Sequence, residues 1–180
     1  MPSEIRNWQG DYLLSYLCRW VVPKSVIETA KSAAINFHPA SPAYPGIGCN
    51  NYALFDNASE YGVTCHHMAA KVDTGKIIAV KRFPVFPTDD VSSLLQRSYE
   101  FQLVLFYEIV SAILADKPLP ESTEKWTGWH HSREEFNTLG VISPEMSDDE
   151  IARRVRAVSY GVFQPTVDLG GFRFELKVDK

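Results

Sequence analysis

The stretch from Tyr12 to Phe37 constrains the fold most. Tyr12 to Val22 is mostly apolar and closes at Pro23, which reads as a buried strand. Pro23 to Ala33 reads as a short helix, with proline tolerated in its first turn. Ala34 to Phe37 is a second short strand. Strand, helix and strand in so short a span predict a parallel crossover unit. The expected fold is therefore α/β around a parallel sheet, and open sheets of that kind bind ligands at the carboxyl ends of their strands.

The rest of the chain is punctuated clearly. Pro42, Pro45, Gly46 and Gly48 make residues 39–48 a shaped loop. Asn50 to Asn57 predicts a helix with Tyr52, Leu54 and Phe55 turned inward. Gly62 to Met68 and Lys76 to Pro84 predict strands joined through the turn Asp73-Thr74-Gly75. Thr88, Asp89 and Asp90 offer N-cap chemistry for the longest element, Val91 to about Ala115. Its apolar positions Leu94, Leu95, Val104, Leu105, Ile109, Ala112 and Ile113 recur near helical period, and Pro118 and Pro120 end it. Residues 118–180 differ in character from the core at 1–117 and are expected to form a small α+β extension. There Trp126 and Trp129 lie close to His130 and His131. Short helices are expected at Ser132–Leu139 and Ser147–Ala157. A hairpin is expected from Gly161–Leu169 and Gly171–Val178, turned at Gly170-Gly171.

Composition limits the partners. A chain of 180 residues with 45% hydrophobic and 22% charged residues suits one globular core. A net charge of −4 gives no electrostatic case for nucleic acid or an anionic membrane. No apolar run approaches the length that spans a bilayer, and Met1 to Arg6 does not read as a secretory leader. Cys18, Cys49 and Cys65 are odd in number and not at zinc spacing, so reduced thiols and a cytoplasmic setting are expected. A metal site at Cys65, His66 and His67 is disfavoured, because adjacent strand residues point to opposite faces. No metal is expected.

The residues with chemistry come in order. Ile35-Asn36-Phe37-His38-Pro39 is followed by Tyr44-Pro45-Gly46-Ile47-Gly48, then Tyr61-Gly62-Val63-Thr64-Cys65-His66, then Val72-Asp73-Thr74-Gly75. Asn36 and His38 are two apart, so on a strand they share a face. An amide can donate to an oxyanion, an imidazole can move a proton near neutral pH, and a carboxylate can orient that imidazole. Taken singly, each is ordinary: an Asn before a proline-rich loop, a surface histidine, a turn.

Taken in order, the pattern resembles the folate-dependent formyltransferases over roughly residues 11–105. The resemblance implies a Rossmann-like parallel sheet, with Asn36, His38 and Asp73 as the catalytic trio. It places Cys18, Arg19, Trp20 and Val21, with the backbone of Ala70, Lys71 and Val72, around the pteridine of 10-formyltetrahydrofolate. It makes Tyr44, Gly46, Thr64 and His66 supporting or substrate-binding residues. Among the branches, the 63 residues after Lys117 argue against glycinamide ribonucleotide formyltransferase. Residues 118–180 hold 8 Lys or Arg against 11 Asp or Glu, a poor surface for the tRNA of a methionyl-tRNA formyltransferase. The motifs look most like the N-formyltransferases of dTDP-linked amino-deoxy sugars. A formyltetrahydrofolate hydrolase and a non-catalytic remnant that binds folate are the alternatives. Family members begin with strands and helices that would precede residue 12 here. The expectation is a chain without them, poorly stable or paired as a homodimer through the exposed edge.

Overall fold

The computed structural model describes residue 5 and residues 7–177. The first element, β1 (Gly10–Tyr16), runs parallel to β2 (Ala30–His38), and the short helix α1 (Lys24–Ile27) crosses between them. The crossover is thus as expected, but its boundaries move. β1 stops at Tyr16 instead of Val22, because its last rung is Tyr16 with Phe37 and the partner strand then runs into Pro39, which has no N–H for the ladder. Leu17 turns the chain away with a φ of 49°. β2 begins four residues earlier than the helical reading allowed, since pairing with β1 outweighs the local preference of Ala30 to Ala33.

After the 39–48 loop comes α2 (Cys49–Phe55), which buries Tyr52, Ala53 and Leu54 and leaves Phe55 half-buried. β3 (Glu60–His67) then lies antiparallel to β2, and β4 (Ile77–Pro84) antiparallel to β3. The sheet, in order β1-β2-β3-β4, is therefore mixed and only its first pair is parallel. The nine residues between β3 and β4 are too few for a crossover, so they form a turn and the strands reverse.

The long helix α3 (Val91–Leu114) packs on β2, β3 and β4. Its start is a capping box in which Asp90 accepts from the Ser93 amide and Ser93 Oγ accepts from the Asp90 amide. The buried stripe is Val91, Leu94, Ser98, Gln102, Leu105 and Ile109. Val104 is exposed and Leu95 only half-buried, so the stripe crosses two polar residues that a hydrophobic reading skips. Both have partners: Ser98 Oγ donates to Leu94 O, and Gln102 Nε2 donates to Phe37 O, the carbonyl between Asn36 and His38. Ile35, Phe37, Val63, Cys65, Leu94, Leu105 and Ile109 form the centre of the core.

Downstream, α4 (Arg133–Leu139) is capped by Ser132 and α5 (Asp148–Val158) by Ser147. α5 docks on α2, where Arg153 donates to Phe55 O and Asn51 donates to Ala157 O, and on the segment before α3, where Arg156 donates to Asp89 O and Phe86 O. A second sheet joins β5 (Val141–Ile142) parallel to β6 (Thr166–Leu169), which pairs antiparallel with β7 (Phe172–Glu175) across Gly170-Gly171. The hairpin strands are shorter than expected, and Val178 lies outside the described residues. Among the described residues no helix is long and apolar enough to cross a membrane.

Candidate active site

The site forms where β2 ends. Asn36 and His38 share a face, and the β2–β3 register sets His66 directly opposite Asn36. The turn after β3 then returns Asp73 to the same place, with Asp73 itself at a φ of 50°. Gly75 permits that return. A Cβ there would stand 1.7 Å from His67 O, so any side chain would push the turn off the strand. From the other side the 39–48 loop closes in, and the Gly46 amide donates to Asp73 Oδ2 at 2.9 Å.

The result is one buried cluster. His38 Nδ1 lies 3.5 Å from Asp73 Oδ2, and His66 Nε2 lies 3.4 Å from Asp73 Oδ1. Asn36 Nδ2 lies 3.1 Å from His66 Nε2, and Asn36 Oδ1 accepts from Ser15 Oγ at 2.7 Å. Two backbone carbonyls decide the tautomers, because a carbonyl only accepts. His66 Nδ1 must donate to His67 O at 2.8 Å, and His38 Nε2 must donate to Tyr44 O at 2.9 Å. In the neutral rings His66 Nε2 and His38 Nδ1 are then lone pairs. His66 Nε2 accepts from Asn36, whose second amide hydrogen is left for the adjoining cleft. Asp73 Oδ1 is buried with no hydrogen-bond donor. A proton on His38 Nδ1 would face the carboxylate directly.

Burial holds His38 below the ordinary histidine value, although Asp73 and the Tyr44 carbonyl pull the other way. Burial would raise Asp73, but a proton on His66 Nε2 facing Oδ1, the charge His38 carries when protonated and the Gly46 amide outweigh it and hold the carboxyl below its usual value. At neutral pH the site thus offers a free-base imidazole beside a carboxylate. Cys49 reaches within 3.8 Å of His38 Nε2, but its thiol donates to Gly46 O and burial, with Asp73, pushes it up to about 12. It is not a thiolate nucleophile.

A cleft of about 570 Å³ opens in front of the cluster. Asn36, His38, Gly46, His66 and Asp73 line its floor, and Cys18, Arg19, Trp20, Val21 and Val72 line its sides. Ala70 and Lys71 sit on the exposed turn and do not line it. Two other expected residues stand behind the site. Thr64 is fully buried and donates to Ala40 O, and the Tyr44 ring packs on Tyr61 while only its carbonyl meets His38.

Sequence reasoning missed three neighbours of the cluster. Ser15 is the one serine inside a largely apolar strand, a signal that was available. Cys49 opens α2 and gave no signal of proximity. Trp126 lies far along the chain, yet its ring meets His38 and His66 edge-on at 5.7 and 5.0 Å.

Residues 1–110 match the Formyl transferase family. The chain belongs to that family. It is 29% identical over 162 residues to a GDP-perosamine N-formyltransferase of Brucella melitensis, covering 89% of this chain and 61% of that protein. It is 30% identical over 128 residues to a methionyl-tRNA formyltransferase of Listeria monocytogenes, covering 69% of this chain and 41% of that protein. The chain thus spans less than two thirds of either relative. Among solved structures, the N-formyltransferase of Helicobacter canadensis in complex with folinic acid and dTDP-3-aminofucose superposes with a TM-score of 0.65. That match has 24% identity and covers 80% of this chain and 53% of that one, a likeness of fold.

Proposed function

We propose that this formyltransferase-family chain moves a formyl group from 10-formyltetrahydrofolate to the amine of a nucleotide-linked amino-deoxy sugar. The observation that carries this is the meeting of Asn36, His38 and Asp73 at the floor of one cleft. The amine lone pair attacks the formyl carbon, and the carbonyl π pair moves to oxygen. The free amide hydrogen of Asn36 meets that oxyanion. His38 Nδ1 takes the proton that the attacking nitrogen sheds, with Asp73 beside it to stabilise the imidazolium. When the adduct collapses, the bond from the carbon to the folate nitrogen breaks and that nitrogen receives the proton. The loop of Cys18 to Val21 and Val72 would hold the folate, and no step needs a metal.

The sugar as acceptor is supported by the wider cover of the perosamine relative and by the acidic balance of residues 118–180, which suits no tRNA phosphate. The three free cysteines go with a cytoplasmic setting. Incubation of the chain with 10-formyltetrahydrofolate tests the proposal, alone and with dTDP- or GDP-linked amino sugars or Met-tRNA. Release of tetrahydrofolate only with a sugar supports the reading. Release without any acceptor makes it a hydrolase, release with Met-tRNA alone makes it a tRNA enzyme, and binding without release makes it a folate-binding remnant.

A further inference from the structure

Between α3 and α4 the chain runs back across the site without regular structure. Its contacts there are close. The Thr127 and Gly128 amides donate to Pro42 O at 3.1 and 3.4 Å, and Gly46 bridges to His131. A Cβ on Gly128 would stand 1.7 Å from Ala43 O, so the two backbones touch directly. In the middle of this segment Trp126 Nε1 donates to Gly75 O at 2.8 Å. One indole therefore contacts both imidazoles of the cluster and is bonded to the turn that delivers Asp73.

We propose that Trp126 is a positioning residue for formyl transfer: it braces the Asp73 turn through Gly75 and shields His38 and His66 from water. The inference rests on the proposed function for its catalytic meaning, but not for its geometry. His38 is faced by Asp73 from the turn, His66 from β3, Cys49 from α2 and His130 from the segment that carries Trp126. His66 is faced by Asn36 from β2 and by Asp73. The indole adds no charge to this set. It adds exclusion of water, and exclusion of water keeps an imidazole neutral. Without the ring, the two histidines regain solvent and the turn loses its outer tether.

The test compares the full chain with Trp126→Ala, Trp126→Phe and, as a control from the same segment, Trp129→Ala, whose ring is exposed. Histidine ring protons are titrated by NMR, and transfer from 10-formyltetrahydrofolate is followed against pH. Trp126→Ala is expected to raise the His38 midpoint by about one pH unit. It should lower kcat by about 10- to 100-fold, since small displacements of a catalytic group are that costly, while KM for the folate changes little. Trp126→Phe should move both in the same direction by less, and Trp129→Ala should move neither. A folded Trp126→Ala with parental midpoint and kcat overturns the proposal. If that variant does not fold, parental values in Trp126→Phe overturn it instead. A parent without transfer defeats the proposed function alone, and the NMR midpoints still decide the role of Trp126.

Discussion

Two regions of this molecule handle apolar residues in opposite ways. In β3 every residue from Tyr61 to His66 is buried, and the strand is held by β2, β4 and α3 at once. In the β6–β7 hairpin, Phe172 and Phe174 are 71% and 53% exposed, and no residue of β7 is buried. Both regions alternate and both have strand propensity. What separates them is how many neighbours fix each residue. Chemistry that needs groups held to a fraction of an ångström belongs at the first kind of site, and the proposed site adjoins it.

The contrast makes its largest demand at His38. His38→Ala should lose about 10²- to 10⁴-fold in kcat, the usual contribution of a positioned acid or base. Folate binding, read by fluorescence quenching or calorimetry, should persist. Near-parental turnover would remove His38 from the proton path. Next comes Gly75→Ala, which adds a single carbon where the turn meets β3. It should cost about 3 kcal/mol in chemical denaturation, a large value reserved for backbone clashes and core damage. Activity should fall with it. An unchanged midpoint would mean that the turn can lift away without cost, and that the site is less constrained than β3.

A smaller effect is expected from pH. His38 is held below its ordinary value of 6.5, so the unfolded chain takes up its proton first as pH falls. Stability is therefore complete above about 6.5 and declines below it. Activity should follow the same sign, with an acid limb whose midpoint lies under 6.5, because the base must be neutral. An acid limb above 7 would contradict the burial of His38. The smallest effect is in the hairpin. Phe172→Ser should change stability by less than about 0.5 kcal/mol and leave turnover alone, as exposed substitutions do. A clear loss there would show that the hairpin has a partner and that the contrast drawn above is false.

The elements with chemical signals at their ends were the most legible. Asp90, Ser132 and Ser147 each start a helix within a residue of the expected place, because a cap is a local bond between neighbours. β1 was over-read because apolar residues continue to Val22, whereas a strand ends where its partner ends. The mixed sheet was hidden for a related reason: strand direction depends on what a connection can span, which composition does not state. In the site, Asn36, His38, Asp73 and His66 could be picked out by their ordered motifs. Cys49 and Trp126 could not, since each arrives through the packing of a segment that no local signal directs to the site. Gln102 is the clearest case. A polar residue in a core stripe looks like an error until the carbonyl of Phe37 is seen above it.

The three cysteines form a graded series, from exposed Cys18 through half-buried Cys49 to buried Cys65. Burial pushes both Cys49 and Cys65 up to about 12, which leaves them almost wholly as thiols in ordinary buffers. Cys18 stands apart at the wall of the cleft. The protein therefore carries a built-in reporter. An alkylating dye has one accessible target, placed where a bound ligand would stand in its way. The rate of labelling then measures how often the cleft is free of ligand, with no substitution made and no activity required.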